Sequence, residues 1–371
     1  MTRNIHKQSF DESTNLKLKI FGECFREWLP VFIHNRYIEE IFIYDFFAGS
    51  GKDIIGTFGS PLVLLEEAKG KDRKYCSKIN KNMIFSFIES LKNKADILLD
   101  NVVEYIDKCK VQNNCDHCVY DVHVYNDIFK KFFLKDETQT IFNNNNYGKF
   151  VLLDQYGFKE IDEEIFLKLI DYPKTDLIFF ISSSFIKRFK EHPYTKLHID
   201  TDQIDFDKAE PKECHRRIFE YFKKLIPTDK EYYLHHFTLQ KKGNYYGLIF
   251  GTNHTFGMEK FLKVCWRQDP NSGESNCNID NDWSSGTLFY NPSKSIKIER
   301  VETEIEDMIL KKNITDNKTG FKYTIQKGCE PKLFTKVVKN LETINKIKRS
   351  GNINNKSSNI HNVKIYEIEV L

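Results

Sequence analysis

The chain has 371 residues, of which 40% are hydrophobic and 14% aromatic, and its formal net charge is +3. This composition excludes an intrinsically disordered protein, and the length allows roughly two or three domains with a sizeable core. Because positive and negative charges nearly balance, the overall charge indicates neither a nucleic-acid binder nor a membrane-surface protein, and any basic patch must be local.

The predicted elements begin with an amphipathic helix and then alternate between strands and helices. Residues 15–33 carry apolar side chains at helical spacing, and we expect this helix to pack on the edge of the sheet before the first strand. Strands are predicted at 41–46, 83–89, 119–125, 149–154 and 177–182, with helices at 62–68, 95–108, 128–134 and 161–171. Such alternation predicts a parallel sheet with ligand sites at its carboxyl edge. Ser60 is predicted to cap the helix at 62–68, with Pro61 at its first position.

The alternation changes after the fifth strand. Two strand-like runs, at 232–239 and 245–251, are joined by residues 240–244, which carry a hairpin signal. A parallel sheet that finishes in an antiparallel hairpin is typical of the class I methyltransferase variant of the Rossmann-like fold. The sequence therefore predicts an α/β domain of this type over residues 1–297.

The remaining residues, 298–371, predict a separate C-terminal module. After a loop at 268–296, helices are predicted at 298–312 and 331–346, and an alternating strand at 363–370. This order suggests a winged-helix-like module. Such modules bind nucleic acid or another protein subunit, and the fold alone does not decide between the two.

The most informative stretch directly follows the first strand. Asp45 ends this strand, and the loop after it contains Phe47, Ala48, Gly49, Ser50 and Gly51. The glycines allow a sharp turn and close approach to a ligand, although a purely structural turn is the alternative. A P-loop is excluded because the required preceding glycine and the Ser or Thr after Lys52 are both absent. The pattern resembles the cofactor loop of DNA amino-methyltransferases, so we expect these residues to bind S-adenosylmethionine.

Two acidic residues at the ends of later strands are further candidates for cofactor binding. Glu89 ends the second strand, where an acid can accept hydrogen bonds from ribose hydroxyls; a solvated residue is the alternative. Asp127 follows the third strand. It either binds the adenine amino group of the cofactor or caps the helix at 128–134, and its residue type favours the cap.

The segment Asp154-Gln155-Tyr156-Gly157-Phe158 follows the fourth strand and is the predicted reaction centre. An amino-methyltransferase needs an acceptor for an exocyclic amine beside an aromatic face that stacks on the extruded base. Asp154 together with Tyr156 or Phe158 can supply both. The amino-methyltransferase pattern has a proline where this chain has Gln155, and that proline rigidifies the turn. A strand-end turn with an aromatic side chain tucked beneath it is therefore the alternative.

Three cysteines, Cys109, Cys115 and Cys118, have the ligand type and part of the spacing of a zinc site. The second pair of such a site is missing, so loop thiols are the alternative. The chain has nine cysteines, an odd number that argues against a disulfide framework. It also lacks a signal pattern and any run of about 18 apolar residues, so we expect a cytoplasmic protein that does not enter a membrane.

His254 follows the last strand of the hairpin. It could face the cofactor edge of the sheet. Alternatively, the stretch only begins a helix at about 257–266, capped by Thr252 or Asn253.

Several landmarks together resemble one family. The stretches occur in this order: Trp28-Leu29-Pro30, Tyr44 to Gly51, Gly59-Ser60-Pro61-Leu62, Asp154 to Phe158, and Tyr246 to His254. This order is similar to that of the three-Cys-motif partner (TcmP) family over roughly residues 13–347. The resemblance implies a methyltransferase-like fold and a protein partner, the three-Cys-motif protein encoded nearby. The family usually has Asp-Pro-Phe/Tyr-Gly, so Gln155 is a departure from it as well.

Two hypotheses follow. In the first, the chain is an S-adenosylmethionine-dependent methyltransferase that acts on a nucleic-acid amino group, with no metal. The glycine loop and Glu89 hold the cofactor, Asp154 orients the amine and Tyr156 stacks on the base. In the second, the chain keeps the fold without the chemistry and serves as a binding subunit of a partner-dependent DNA-modification or phage-defence system.

Overall fold

The computed structural model describes residues 9–70, 75–76, 81–280, 295–361 and 364–371. The chain forms two compact units, one of Met1–Tyr232 and Leu239–Asn253 and the other of Tyr233–Thr238 and His254–Leu371. This division differs from the predicted boundary between residues 297 and 298, because the helix that follows the hairpin belongs to the second unit. Among the helices in the described ranges, none combines the length and apolar character needed to cross a membrane.

A seven-stranded sheet underlies the α/β fold. Its strands are β1 (Glu40–Asp45), β2 (Asn82–Glu89), β3 (Asp121–Asn126), β4 (Tyr147–Leu153), β5 (Thr175–Ile181), β6 (Tyr233–Lys241) and β7 (Asn244–Thr252). They lie in the order β3-β2-β1-β4-β5-β7-β6. Strands β1 to β5 are mutually parallel, and β7 runs antiparallel to β5. The fold is therefore the predicted Rossmann-like sheet of the class I methyltransferase type, ending in an antiparallel hairpin.

The helices of the first unit agree with the predicted ones to within a few residues, and several short helices are additional. They are α1 (Glu12–Ile33), α2 (Ser60–Ala68), α3 (Lys92–Asn113), α4 (Phe129–Phe133), α5 (Asp136–Asn143), α6 (Glu163–Asp171), α7 (Ser183–Arg188), α8 (Pro193–Lys196) and α9 (Cys214–Leu225). Helix α2 is capped by Gly59, so the prediction that Ser60 is the cap was wrong by one residue. The Ser60 side chain instead lies near the Asp45 carboxyl group, where it opposes the rise in the pKa of that group.

Helix α1 packs on a face of the sheet, and the prediction that it lies at the edge was wrong. The ring of Phe25 is centred 6.2 Å from that of Phe85 in β2 and 5.3 Å from that of Phe150 in β4. These two strands flank β1, in which all residues after Glu40 are buried. The edge strand β3 is largely exposed and offers much less apolar surface to a long amphipathic helix.

The hairpin between β6 and β7 is tighter than predicted. Only Lys242 and Gly243 lie between the two strands, whereas the sequence predicted a connection of five residues. Both have positive φ, 49° and 76°. Positive φ at both central positions is typical of a type I′ turn, whose twist matches that of the flanking strands.

The second unit contains most of the predicted C-terminal module. Its elements are α10 (Thr255–Gln268), α11 (Ile296–Leu310), α12 (Asn317–Gln326), α13 (Lys332–Thr343), β8 (Ile347–Arg349), α14 (Ser357–His361) and β9 (Ile368–Val370). Strands β8 and β9 pair in antiparallel fashion, with Ile347 opposite Val370. Strand β9 forms only the end of the predicted strand at 363–370, and residue 363 lies outside the described residues. Of the predicted loop at 268–296, residues 281–294 also lie outside them. The winged-helix-like assignment stays a prediction.

Strand β4 carries a fully buried lysine, Lys149. Its ammonium group donates hydrogen bonds to the carbonyl oxygens of Phe142, at 3.1 Å, and Asn144, at 2.8 Å. Both carbonyls lie at the C-terminal end of α5, where the helix dipole favours a cation. Burial, and to a lesser extent the charge of Lys174, lowers the pKa of Lys149 to about 7.

This lysine should make the stability of the protein depend on pH. An unfolded lysine has a pKa of about 10.4, so between about pH 7 and 10 the unfolded chain binds more protons than the folded one. We expect the free energy of unfolding to rise by at most about 1.4 kcal/mol per pH unit across that range, relative to Lys149→Met. Urea unfolding of both proteins between about pH 7.5 and 9.5 measures this difference, because all other titrating groups are shared. A difference that stays constant with pH would contradict the prediction.

Candidate cofactor and acceptor site

The glycine loop after β1 is a tight turn that requires its two glycines. Gly49 and Gly51 have φ values of 63° and 80°, which other residues rarely adopt. A Cβ atom on Gly51 would lie 2.9 Å from Cδ1 of Leu98 in α3, so the loop backbone itself packs against this helix. The Ala48 amide donates to the Ile88 carbonyl at 3.0 Å and joins the loop to β2. These contacts place the loop backbone at the carboxyl edge of the sheet.

Glu89, at the end of β2, is bound to this loop. Glu89 is 7% exposed, and its Oε2 accepts a hydrogen bond from the Gly49 amide at 3.0 Å. Oε1 accepts one from the Leu91 amide at 2.8 Å. An ionised carboxylate has about four acceptor positions, so hydrogen-bonding capacity remains for a ligand hydroxyl. The alternative of a merely solvated acid is wrong, because Glu89 fixes the glycine loop.

Asp45, at the end of β1, is fully buried. Its Oδ1 accepts a hydrogen bond from the Phe47 amide at 3.1 Å, and its Oδ2 is buried without a hydrogen-bond partner among the described residues. Burial, and to a lesser extent the charge of nearby Asp154, raises the pKa of Asp45 to about 7, although Ser60, the Phe47 amide and Lys17 oppose this shift. A buried carboxyl oxygen without a hydrogen bond costs free energy, which a nearby positive charge would offset.

The other loop residues are positioned by side chains around them. The half-buried ring of Phe47 is centred 5.5 Å from that of Phe129. The Ser50 hydroxyl donates to the Lys52 carbonyl at 3.2 Å, and the Ser50 carbonyl accepts from the Asn101 side chain at 2.7 Å. Asn101 thus supports the loop from α3, and nothing in the local sequence pattern indicates this role.

Asp127 is not a helix cap, and that prediction was wrong. Helix α4 begins at Phe129 with Ile128 as its cap residue, which leaves Asp127 one position too early. One Asp127 oxygen accepts from the Ile128 amide at 2.9 Å, and the other pairs with the Lys135 ammonium at 2.7 Å. The hydrogen bond from Lys135 is the main cause that lowers the pKa of Asp127. Contact with the adenine amino group stays a prediction.

Asp154 lies just beyond β4 and forms an ion pair with Lys17 of α1. The Lys17 ammonium is 2.7 Å from Oδ1 and 2.5 Å from Oδ2 of this carboxylate. The two side chains are only 14% and 17% exposed. Both charges affect the pKa of Asp45, which places all three groups within electrostatic reach of one another.

The turn after Asp154 is held by the residue that replaces the expected proline. Gln155 is 1% exposed, and its side-chain amide donates to the Phe180 carbonyl in β5 at 3.2 Å. Its side-chain oxygen accepts from the Glu160 amide at 3.0 Å. The Ser182 amide adds a hydrogen bond to the Gly157 carbonyl at 2.9 Å. Side-chain hydrogen bonds therefore provide the order that a proline ring would otherwise give.

The two aromatic candidates at this turn have opposite environments. Tyr156 is 68% exposed and is accessible for stacking. Phe158 is only 3% exposed, and its ring packs 5.7 Å from that of Phe185 and 6.2 Å from that of His198. The prediction that Phe158 serves as a stacking face was wrong; it is the tucked aromatic side chain of the alternative interpretation.

Two other sequence candidates do not join the site. In the described part of the chain, no group of three or more His, Cys, Asp or Glu side chains is arranged to hold a metal, so Cys109, Cys115 and Cys118 do not assemble as zinc ligands. His254 caps α10 through a hydrogen bond from the Phe256 amide to its Nδ1 at 3.0 Å. The prediction that Thr252 or Asn253 forms this cap was therefore wrong.

No family model matches the chain, and no curated protein matches it. Among solved structures, similarity is found to Trm1 from Pyrococcus horikoshii with S-adenosyl-L-methionine, at a TM-score of 0.34 and 7% identity over 69% of this chain and 59% of that one. The O-methyltransferase from Bacillus cereus in complex with SAH is similar at a TM-score of 0.31 and 13% identity, over 67% of this chain and 82% of that one. TYW2 from M. jannaschii in complex with AdoMet is similar at a TM-score of 0.30 and 12% identity, over 66% of this chain and 77% of that one. The aligned region thus spans less than two thirds of Trm1, and the fold assignment above rests on the strand order.

Proposed function

We propose that this chain binds S-adenosylmethionine over the glycine loop and transfers its methyl group to an amino group of a nucleic acid held at Asp154. The observation that carries the proposal is the meeting of three features at one edge of the sheet. Strands β1, β2 and β4 are adjacent and parallel, so the glycine loop, Glu89 and Asp154 lie at neighbouring strand ends. Ligands of doubly wound folds bind at this edge.

The residues present fit this cofactor. Gly49 and Gly51 let the backbone approach it closely, and Glu89 retains capacity to accept hydrogen bonds from ribose hydroxyls. The buried Asp45 oxygen without a hydrogen-bond partner favours a ligand that carries a positive charge, as a sulfonium does. When bound, S-adenosylmethionine supplies an electrophilic methyl group.

Residues around the turn after β4 would bind the methyl acceptor. Asp154 would accept a hydrogen bond from an N–H group of the acceptor amine and so orient the nitrogen lone pair. Tyr156, which is exposed beside it, would stack on an extruded base. Methyl transfer of this kind depends on positioning and on exclusion of water, and so it requires no further acid or metal from the chain.

Isothermal titration with S-adenosylmethionine tests the proposal, and we expect binding at pH 8. If the ionised form of Asp45 is the binding form, its fraction falls about tenfold between pH 8 and pH 6, and affinity should fall by up to about the same factor. The Asp45→Asn variant, which stays neutral, should bind with the weaker affinity at both pH values. No heat at millimolar cofactor at pH 8 would contradict the proposal.

A second candidate function is a binding subunit without catalysis, which belongs to a partner-dependent DNA-modification or phage-defence system. The Lys17–Asp154 ion pair favours it, because a substrate amine must displace a charged group already bound there. In this second proposal the chain is a member of the TcmP family, and its partner is a three-Cys-motif protein. Gel shifts with single-stranded oligonucleotides, combined with a methyl-transfer assay, separate the two functions: binding without transfer supports the subunit.

A further inference from the structure

The surroundings of the Lys17 ammonium group are those of an amine-binding site. Both oxygens of Asp154 bind it, and it stands 4.7 Å from the centre of the Phe180 ring and 5.9 Å from that of Phe21. The Tyr246 ring stacks on Phe180, with ring centres 5.6 Å apart. A carboxylate beside aromatic faces is an arrangement that attracts ammonium groups. The chain's own lysine thus occupies the position proposed for the acceptor amine.

Lys17 is held at this position by the fold. Helix α1 is capped by Asp11, which also pairs with Lys241 at 2.7 Å. The Ser13 hydroxyl donates to the Gln240 carbonyl at 2.7 Å. These contacts fix the first turns of α1 against the end of β6, so Lys17 does not behave as a freely rotating surface lysine.

We infer that Lys17 is a site of self-methylation, an inference that rests on the proposed function. In this step the Lys17 ammonium gives one proton to Asp154, which releases it to solvent. The freed lone pair on Nζ forms the N–CH₃ bond while the S–CH₃ bond of S-adenosylmethionine breaks. The sulfur keeps the bonding electron pair, and S-adenosylhomocysteine leaves.

The ion pair limits the extent of the modification. A monomethylated lysine keeps its positive charge and two N–H groups, which suffice for both hydrogen bonds to Asp154. A second methyl group would remove one of these donors. We therefore expect one methyl group on Lys17.

The test uses the full-length protein and S-adenosylmethionine with a deuterated methyl group, followed by digestion and mass spectrometry. Lys19, on the same helix but exposed, is the matched control. We expect one labelled methyl group on Lys17, none on Lys19, and at least about tenfold less label in Asp154→Asn. The Lys17→Arg variant should carry no label and should still bind S-adenosylmethionine in a titration.

A second measurement needs no cofactor. Because Lys17 is largely buried against Asp154, an amine-acetylating reagent should modify it more slowly than Lys19. In Asp154→Asn the rate at Lys17 should rise at least about fivefold, while the rate at Lys19 stays the same. Equal rates at the two lysines in the unaltered protein would show that Lys17 does not occupy the site.

The outcomes separate this inference from the proposed function. If S-adenosylmethionine binds in a titration but Lys17 gains no label, self-methylation is wrong and the proposed function stands. Equal labelling of Lys17 and Lys19 also overturns the inference, since it indicates unspecific methylation. If S-adenosylmethionine does not bind, both proposals are wrong.

Discussion

Replacement of Glu89 by alanine is expected to weaken S-adenosylmethionine binding by at least about a hundredfold. The carboxylate accepts hydrogen bonds from the amides of Gly49 and Leu91, so its removal frees the glycine loop. The same change removes the proposed acceptor for the ribose hydroxyls. Hydrogen bonds to charged groups contribute roughly 1.5–3 kcal/mol each, and about 2.7 kcal/mol corresponds to a hundredfold change in affinity.

Isothermal titration measures this change, with circular dichroism as a check that the variant is folded. Glu137→Ala serves as the control, because Glu137 is an exposed acid on α5 away from the loop. Glu89→Gln retains one acceptor oxygen, so its affinity for S-adenosylmethionine should lie between those of Glu89→Ala and Glu137→Ala. A folded Glu89→Ala protein with unchanged affinity would rule out the cofactor site proposed here.

The second large effect concerns the two aromatic residues at the acceptor turn. Phe158→Ala should lower the free energy of unfolding by about 3–5 kcal/mol, because it removes a buried ring that packs against Phe185 and His198. Tyr156→Ala should change it by less than about 0.5 kcal/mol, since the side chain is exposed. Urea unfolding monitored by fluorescence and circular dichroism measures both values.

The same two positions should separate effects on stability from effects on oligonucleotide binding. If Tyr156 stacks on a base, Tyr156→Ala should weaken oligonucleotide binding by about 1–3 kcal/mol, and Tyr156→Phe should restore it. Measured by fluorescence anisotropy, these affinities do not depend on how stable the fold is. Oligonucleotide affinities that are equal in Tyr156→Ala and the unaltered protein would exclude the stacking role.

The strands and the glycine loop could be predicted because their signals are local. Buried parallel strands appear as continuous apolar runs, and the positive φ values of Gly49 and Gly51 match residues that adopt them without strain. The position of Glu89 at the carboxyl end of β2 could be predicted for the same reason, because an acid at a strand end is visible in the sequence. What the sequence did not show is that this acid also binds the Gly49 amide.

The failures arose where distant segments decide the outcome. Lys17 and Asp154 are 137 residues apart, and neither has a neighbouring pattern that points to the other. Asp127 has the residue type of a cap, yet pairing with Lys135 and a helix start one residue later override that preference. Phe158 and Tyr156 are two aromatic residues in one turn, and only the packing of Phe185 and His198 determines which of them is buried.

Gln155, at the position of the expected proline, restrains its turn in a different way from a proline ring. A proline restricts its turn in the unfolded chain as well, because the ring fixes φ before any tertiary contact forms. Gln155 restrains the turn only through partners, one of which is the Phe180 carbonyl in β5. The turn that carries Asp154 therefore gains this restraint only when β5 lies beside β4, whereas a proline would restrain it locally. The position of Asp154 therefore depends on the pairing of β4 with β5, whereas the glycine loop is held by hydrogen bonds to β2, to the cap of α2 and to α3.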